Sequence, residues 1–115
     1  ISEIAGQLSN HIYFLSSEER KIAHLSAVFV CNYVNLMYTL GFDIMQKNEL
    51  SFDLLRALIM ETAKKALDNA PDKEQTGPAI RNDISTMESH MTLLDEKTAE
   101  IYQQLAKWVK GRFLT

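Results

Sequence analysis

Apolar residues recur at helical spacing along most of the chain, and most densely between Ile22 and Met45. They fall on nearly every side of a helix: Leu25, Val28, Phe29, Val30, Cys31, Val34, Leu36 and Met37. Ser16 or Ser17 suits an N-cap and two glutamates follow, so the pattern predicts one helix from there to about Lys47. A helix that is apolar all round is normally buried on every side, which a domain this small can hardly achieve alone. The pattern therefore predicts a partner subunit against this helix.

Three further helices follow, each with its own start signal. Ser51 is an N-cap for the second helix, which Pro71 ends, while Asp83 or Ser85 caps the third and Asp95 begins the fourth. The buried stripe of the second helix is predicted to contain Leu55, Leu58, Ile59, Thr62 and Ala66, and the inner face of the third Ile84, Met87, Met91 and Leu94. The apolar stripe of the fourth contains Thr98, Ile101, Tyr102, Leu105, Trp108 and Val109. The sequence as a whole predicts an all-α domain.

The first fifteen residues follow a different pattern. Apolar residues from Ile1 to Leu8 have the spacing of one helical face, and the aromatic and β-branched run 11–15 is typical of a strand. A single strand leaves its backbone N–H and C=O groups unpaired, so its partners are expected in missing sequence or in another copy. The pattern therefore separates residues 1–15 from the helical residues 16–115.

The composition narrows the class of protein. The 115 residues are 46% hydrophobic and carry a net charge of -3, with scattered lysines and arginines, so no basic face for nucleic acid is expected. One histidine, two asparagines and one aspartate interrupt the richest apolar stretch, so no membrane span is expected either. The single cysteine, Cys31, cannot form an internal disulfide and fits a reducing, cytoplasmic location.

Several common ligand sites are missing from the sequence. The four glycines are too far apart for a G-x-G-x-x-G turn or a phosphate loop. The three histidines have no short metal-ligand spacing. We therefore expect this chain to bind no metal and no dinucleotide cofactor by itself.

The first cluster of candidate functional residues lies on the long predicted helix. His24 and Asn32 are eight residues apart, about two turns, and therefore share a face, with Asn35 at its edge. An unpaired buried amide or imidazole costs about 1–3 kcal/mol, so each such group needs a partner. Two interpretations stay open: hydrogen bonds to neighbouring helices, the commoner role of such residues, or contacts with a ligand.

The second cluster lies in the loop before the third helix and within that helix: Thr76, Gly77, Arg81, Asp83 and His90. A permissive glycine followed by the rigid Pro78 predicts a defined turn. Arg81 and Asp83 can pair with each other or point at a ligand, and His90 can reach back toward the loop. On chemistry alone, a capping loop with a surface salt bridge is favoured over a ligand site.

Both clusters resemble motifs of one protein family. Residues 76–83, T-G-P-A-I-R-N-D, followed by His90, resemble the T-G-P-x-x-R-x-D…H signature of proteins with a DUF2520 domain. Residues 24–33, H-L-S-A-V-F-V-C-N-Y, resemble the same family's H-L-A-A-V-F-x-x-N-F pattern. The resemblance covers about Ser17 to Phe113. Members of this family are proposed NAD(P)-dependent oxidoreductases with an N-terminal Rossmann domain and a helical C-terminal domain.

The resemblance implies the architecture of the whole protein. The family's helical domain is similar to the C-terminal domains of 6-phosphogluconate dehydrogenase and of related reductases, including pyrroline-5-carboxylate and ketopantoate reductases. In such enzymes it dimerises and closes the substrate cleft over the nicotinamide. The resemblance implies that NAD(P) is bound mainly by a Rossmann domain outside this chain, of which residues 1–15 are the last α–β unit.

One feature departs from the related β-hydroxyacid dehydrogenases. They place a catalytic lysine one turn before an asparagine of the long helix, whereas here Val28 lies four residues before Asn32 and Cys31 lies four before Asn35. His24 is the only titratable side chain on that face and is the candidate acid–base group. The substrate and reaction of those enzymes are therefore not carried over.

The resemblance and the residues together predict a C-terminal dimerisation and substrate-cleft domain of an NAD(P)-dependent oxidoreductase, not catalytic alone. His24 is the predicted catalytic residue, and the predicted substrate-binding residues are Asn32, Thr76, Gly77, Arg81, Asp83 and His90. Arg81 indicates a small anionic substrate, because guanidinium binds carboxylate through two hydrogen bonds. The expected partners are a second copy, the Rossmann domain and that substrate. The alternative is a helical protein–protein interaction module without a small-molecule site; a DNA-binding domain is disfavoured by the missing basic face.

Overall fold

A computed structural model describes residues 14–114, and the regular elements among them are helical. The elements are α1 (Ser17–Ala27), a π-helical segment (Val28–Tyr33), α2 (Val34–Lys47), α3 (Asp53–Asp68), a 3₁₀ turn (Pro71–Lys73), α4 (Ile84–Met91) and α5 (Glu96–Phe113). Helix accounts for 75% of the described residues, and no strand occurs among them. The predicted all-α class is confirmed.

The expectations for the N-terminus fall mostly outside the described residues. The predicted helix over residues 1–8 and the start of the predicted strand over 11–15 lie there. Phe14 and Leu15 are described, and they form a turn and a bend, so the expected strand does not extend to them. The division of the chain into two domains at residue 15 stays a prediction.

The chain divides into two compact units, residues 1–50 and 51–115. In the first, α1, the π-helical segment and α2 form one continuous helix, Ser17–Lys47, which we call the long helix. Ser16 caps it: the hydroxyl accepts the N–H of Glu19 (3.2 Å), and the Glu19 carboxylate accepts the N–H of Ser16 (3.1 Å). Hydrogen bonding of the Glu19 carboxylate to Ser16, first to its backbone N–H and then to its side chain, holds the pKa of Glu19 below its usual value. The predicted start is confirmed.

The long helix also ends where the sequence predicts. The Asn48 side-chain amide donates to the carbonyl of Ile44 (2.8 Å), which satisfies one of the free carbonyls of the last turn. Glu49 has a φ of 58°, a left-handed conformation that cannot continue a right-handed helix.

The apolar surface of the long helix is largely uncovered. None of its residues is buried, and Ile22, Leu25, Phe29 and Val30 are each at least 60% exposed. The described part of the first unit contains no other helix that could cover them. The burial that the pattern predicts for this helix therefore has to come from outside residues 14–50.

By length and composition, the long helix could also span a membrane. It has 31 residues and contains an 18-residue window with a mean hydropathy of 1.4, none of it buried. The histidine, asparagine and aspartate residues that interrupt the apolar stretch do not lower the mean hydropathy of this window enough to exclude a span. Because the core helix of a soluble protein has the same composition, the expected absence of a membrane partner stays a prediction.

Capping side chains set the starts of two of the three α-helices of the second unit, α4 and α5. The N-cap of α3 is Phe52 and not the predicted Ser51, whose hydroxyl accepts the N–H of Asp53 (3.2 Å). At the start of α4, the Asp83 carboxylate accepts the N–H of Thr86 (3.2 Å). At the start of α5, the Asp95 carboxylate accepts the N–H of Thr98 (2.7 Å). Of the two candidates for the third helix, Asp83 is therefore the cap, and α3 ends before Pro71 as predicted.

Little of the second unit is buried. Ala79, in the loop before α4, and Met87, in α4, are the buried hydrophobic residues of the described chain. In the predicted apolar stripes, by contrast, Leu58 is 56%, Leu105 48% and Trp108 75% exposed. The expected burial of Leu58 is wrong for this chain alone, because periodicity identifies an apolar face but not what covers it.

Replacing Ser16 with alanine is expected to lower the free energy of unfolding by about 1 kcal/mol, because the N–H of Glu19 loses its acceptor at the start of the long helix. Urea denaturation followed by circular dichroism measures the change. Ser17→Ala is the matched control, since the Ser17 hydroxyl makes no hydrogen bond within the described residues. Equal losses in the two variants would show that Ser16 does not act as the cap.

Candidate functional site

The π-helical segment changes the register of the two candidate residues on the long helix. In an uninterrupted α-helix, eight residues rotate the chain by about 800°, which leaves His24 and Asn32 about 80° apart. Four of these eight steps lie within Val28–Tyr33, where the wider i→i+5 turn rotates the chain less per residue. The segment therefore reduces the angle between His24 and Asn32 relative to an uninterrupted α-helix. π-helical turns of this kind are frequent at functional sites.

Both side chains are open on this shared face. His24 and Asn32 are exposed, and neither makes a side-chain hydrogen bond within the part of the chain that the structure describes. Asn35 is also exposed, and its backbone carbonyl accepts the Thr39 hydroxyl at 3.1 Å. The hydrogen bonds to neighbouring helices that one interpretation expected are therefore not made by residues 14–114. The two polar groups are available to another chain or to a ligand.

The loop before α4 is a fixed turn, as the sequence predicts. Gly77 has a φ of 105°, a conformation that side-chain-bearing residues rarely adopt, and Asn82 has a φ of 51°. The N–H of Asp83 donates to the carbonyl of Pro78 (2.9 Å), and the N–H of Asn82 to that of Ala79 (3.1 Å). These bonds fix the conformation of the loop itself, and Ala79 within it is buried.

Asp83 uses both carboxylate oxygens at the start of α4. Oδ1 accepts the N–H of Thr86 (3.2 Å) and the hydroxyl of Ser85 (3.3 Å), and Oδ2 accepts the hydroxyl of Thr86 (2.7 Å). The bond from the Thr86 hydroxyl, and next the one from its N–H, hold the pKa of Asp83 below its usual value of 3.8. This is a capping role, and the predicted part of Asp83 in substrate binding stays a prediction.

Arg81 is exposed and makes no ion pair with the other described residues. Its charge makes a smaller, electrostatic contribution to the lowered pKa of Asp83, so the two groups are close without pairing. The surface salt bridge that the spacing allowed is therefore not formed. The guanidinium keeps its five N–H donors for an anion.

His90 bonds to a residue that the sequence placed only on an apolar stripe. Its Nδ1 lies 2.7 Å from the hydroxyl oxygen of Tyr102, and the two rings meet edge to face with centroids 5.8 Å apart. Burial raises the pKa of Tyr102 above its usual value of 10.0, so the phenol is protonated at neutral pH. The two residues lie twelve apart on separate helices, and no local spacing could have revealed their contact.

A cavity of about 360 Å³ lies between α4 and α5. Apolar side chains line it together with a phenol, an amide, two lysines and one carboxylate; the polar groups belong to Tyr102, Gln103, Lys107, Lys110 and Glu88. A volume of this size suits a small ligand. None of the predicted site residues lines this cavity, but Tyr102, the hydrogen-bond partner of His90, does. Thr76 instead lines a separate cavity of about 220 Å³ together with Lys65 and Glu74.

The predicted site residues fall into two groups. His24 and Asn32 belong to residues 14–50, whereas the loop 76–83 and His90 belong to residues 51–114. Within the second unit, α4 connects the loop to His90, but the two make no hydrogen bond with each other. The convergence of both groups on one cleft stays a prediction. Among residues 14–114, no group of three His, Cys, Asp or Glu side chains could hold a metal ion.

Comparison with known proteins gives a family and a structural relative. The model of the family described as a domain of unknown function, DUF2520, matches residues 1–109. The chain is also similar to a protein from Bacteroides fragilis of known crystal structure, named "putative NADP oxidoreductase", with 40% sequence identity and a TM-score of 0.80. The match covers 83% of this chain and 38% of that protein, so this chain spans well under half the length of its relative. No curated protein matches the chain significantly.

The free energy of unfolding is expected to fall as the pH drops through the folded-state pKa of Asp83. The pKa of Asp83 is lower in the folded protein than its usual value of 3.8. The ionised cap therefore contributes its full stability at pH values above 3.8, and this contribution is lost as the pH falls through the folded-state pKa. Asp83→Asn keeps one capping oxygen but cannot titrate, so its stability should depend less on acid pH. Thermal denaturation between about pH 2 and pH 7 measures this difference.

The matched control is Glu100→Gln, at an exposed carboxylate of α5 that makes no hydrogen bond within the described residues. It should follow the unchanged protein. An acid dependence as steep in Asp83→Asn as in the unchanged protein contradicts the assigned role of this carboxylate.

Proposed function

The chain belongs to the DUF2520 family, and on that basis we propose that it is the C-terminal dimerisation and substrate-cleft domain of an NAD(P)-dependent oxidoreductase. The name of the Bacteroides fragilis relative, an NADP oxidoreductase, supports the reaction class. The match occupies only 38% of that relative, and the remainder is long enough for a nucleotide-binding domain. On this proposal the chain is inactive without that domain.

The described residues do not fit a pyrophosphate site of their own. Pyrophosphate is usually held by free N–H groups at a helix N-terminus that follows a glycine-rich turn. Here Asp83 and Asp95 cap α4 and α5, and their carboxylates occupy the N–H groups and repel anions. The start of the long helix is closed by Ser16 and Glu19. The proposal therefore assigns the binding of NAD(P) to the preceding domain.

The uncovered long helix is the observation that carries the proposal. Ile22, Leu25, Phe29 and Val30 are each at least 60% exposed on it. Burying an apolar side chain of this size contributes about 1.5–3 kcal/mol. A second copy that presents the same face would bury these residues twice, as in a two-fold symmetric interface. The physical cost of leaving this face in water therefore supports dimerisation through the long helix.

The same helix offers the groups that a substrate cleft needs. The π-helical segment reduces the angle between His24 and Asn32 around the helix, and both side chains are exposed. An imidazole takes up or releases a proton near neutral pH, and a carboxamide can both donate to and accept from a substrate oxygen. In the second unit, the unpaired Arg81 can hold a carboxylate through two hydrogen bonds. We assign the acid–base role to His24 and anion binding to Arg81.

The second candidate function is a helical protein–protein interaction module without a small-molecule site. Two contacts favour it: the capping bonds of Asp83 and the bond between His90 and Tyr102. Each gives a structural partner to a residue predicted to bind substrate. Under this function, changes at His24 and Arg81 would alter no small-molecule binding, and kinetic measurements on those variants separate the two candidates.

The protein is expected to be a dimer at micromolar concentration. Phe29→Glu places a charge on the apolar face of the long helix, and its burial should weaken dimerisation by about 100-fold or more in Kd. Sedimentation equilibrium measures the constant. Lys64→Glu, on the exposed surface of α3, is the control and should leave it unchanged. An unchanged protein that is monomeric at this concentration, with the helix content retained, contradicts the proposed dimer.

In the full-length protein, His24→Gln is expected to lower kcat by about 100-fold or more, the usual contribution of a general acid or base. Arg81→Met should mainly raise KM, because it removes binding and not a proton transfer. Oxidation of NADPH with small carboxylate substrates measures both constants. Arg20→Met, at an exposed arginine of α1, is the matched control. If His24→Gln instead lowers the Tm sharply and leaves ligand binding intact, this histidine has a structural role and not a catalytic one.

A further inference from the structure

Tyr102 connects a predicted site residue to the cavity between α4 and α5. Its hydroxyl oxygen lies 2.7 Å from Nδ1 of His90, and its side chain lines the cavity of about 360 Å³. Tyr102 is half-buried, whereas His90 is exposed. The bond and the edge-to-face ring contact therefore hold an exposed imidazole against a more firmly packed side chain of α5.

The direction of this hydrogen bond decides what His90 can offer a ligand. A neutral imidazole carries one N–H, and the partner of one ring nitrogen selects which nitrogen has the proton. The phenol of Tyr102 is protonated at neutral pH and has Nδ1 of His90 as its hydrogen-bond partner. When the phenol donates its O–H to Nδ1, the ring proton lies on Nε2.

The Nε2–H group is then left for a ligand. Nε2 makes no hydrogen bond within residues 14–114, and the His90 side chain is exposed to solvent. An N–H of this kind suits an oxygen of a carbonyl or a carboxylate. A side chain that is already held in its bound orientation loses less conformational entropy when the ligand arrives.

We propose that Tyr102 is a positioning residue of the substrate cleft, which holds His90 in its Nε2–H tautomer so that this N–H donates to an oxygen of a small anionic substrate. The inference rests on the proposed function and adds to it a second substrate contact. Arg81 binds the negative charge, and His90 fixes a neighbouring oxygen. Tyr102 acts only through His90 and does not touch the substrate.

Nitrogen-15 NMR of the full-length protein, labelled at histidine, tests the tautomer. At about pH 8, where an ordinary imidazole is neutral, His90 should show a single Nε2–H form, with its resonances assigned by their loss in His90→Gln. Tyr102→Phe removes only the hydroxyl, so both tautomers should become populated and the two nitrogen shifts should move toward each other. Tyr38→Phe, on the long helix, is the control and should leave His90 unchanged.

Either of two results overturns the role of Tyr102: His90 shifts that are the same in Tyr102→Phe, or an Nδ1–H tautomer in the unchanged protein. Neither result bears on the proposed function.

A titration with malonate, a small dianion, tests the ligand contact in protein labelled at histidine and arginine. Malonate should shift the resonances of His90 and Arg81 together, and Tyr102→Phe should weaken the apparent affinity about fivefold, the effect of one modest hydrogen bond. Shifts at Arg81 without shifts at His90 overturn the inference but leave the anion-binding cleft in place. Shifts at neither residue overturn the cleft itself, and the inference with it.

Discussion

The apolar surface of the long helix is the constraint on which the rest of this protein depends. The helix extends over 31 residues, and its large apolar side chains are exposed along both of its α-helical halves. The hydrophobic effect makes such a surface unfavourable in water in proportion to its area. The described residues 14–50 do not cover it themselves, and the two polar candidates, His24 and Asn32, belong to the same helix. A cover that left them accessible would place a polar cleft at the edge of an apolar interface.

The π-helical segment gives this polar pair its geometry. Its wider turn rotates the chain less per residue and so compensates for the angular drift between His24 and Asn32. A π-helical turn is uncommon, and it lacks the regular i→i−4 hydrogen bonds of the α-helix on either side of it. The turn coincides with the segment that carries the family motif, and it includes Asn32 itself.

The second unit uses its polar residues mainly to fix its own backbone. Asp83 caps α4, Gly77 permits the turn before it, and the bond from Tyr102 to His90 joins α4 to α5. These bonds are local or connect adjacent helices, and they organise a unit that has little buried core. Against this fixed background, the guanidinium of Arg81 is the charged group of the motif that the described residues leave unpaired.

The sequence by itself determined the helices and the family to which the chain belongs. Helix starts depend on a capping oxygen within three residues of the N–H that it accepts, as at Ser16, Asp83 and Asp95, and such signals can be read without a fold. The turn at Gly77 was equally predictable, because glycine permits a positive φ and the proline after it restricts the backbone locally.

Only the tertiary structure decided which apolar faces are covered, that the long helix contains a π-helical segment, and that His90 bonds to Tyr102. Burial and contacts between helices depend on which elements become neighbours, and residue spacing encodes only a face and a period. The stripes through Leu58 and Trp108 were recognisable as apolar, but their exposure was not. The sequence allowed Asp83 either to cap α4 or to bind a ligand. The structure shows the capping role, because both oxygens of the carboxylate accept hydrogen bonds from Thr86.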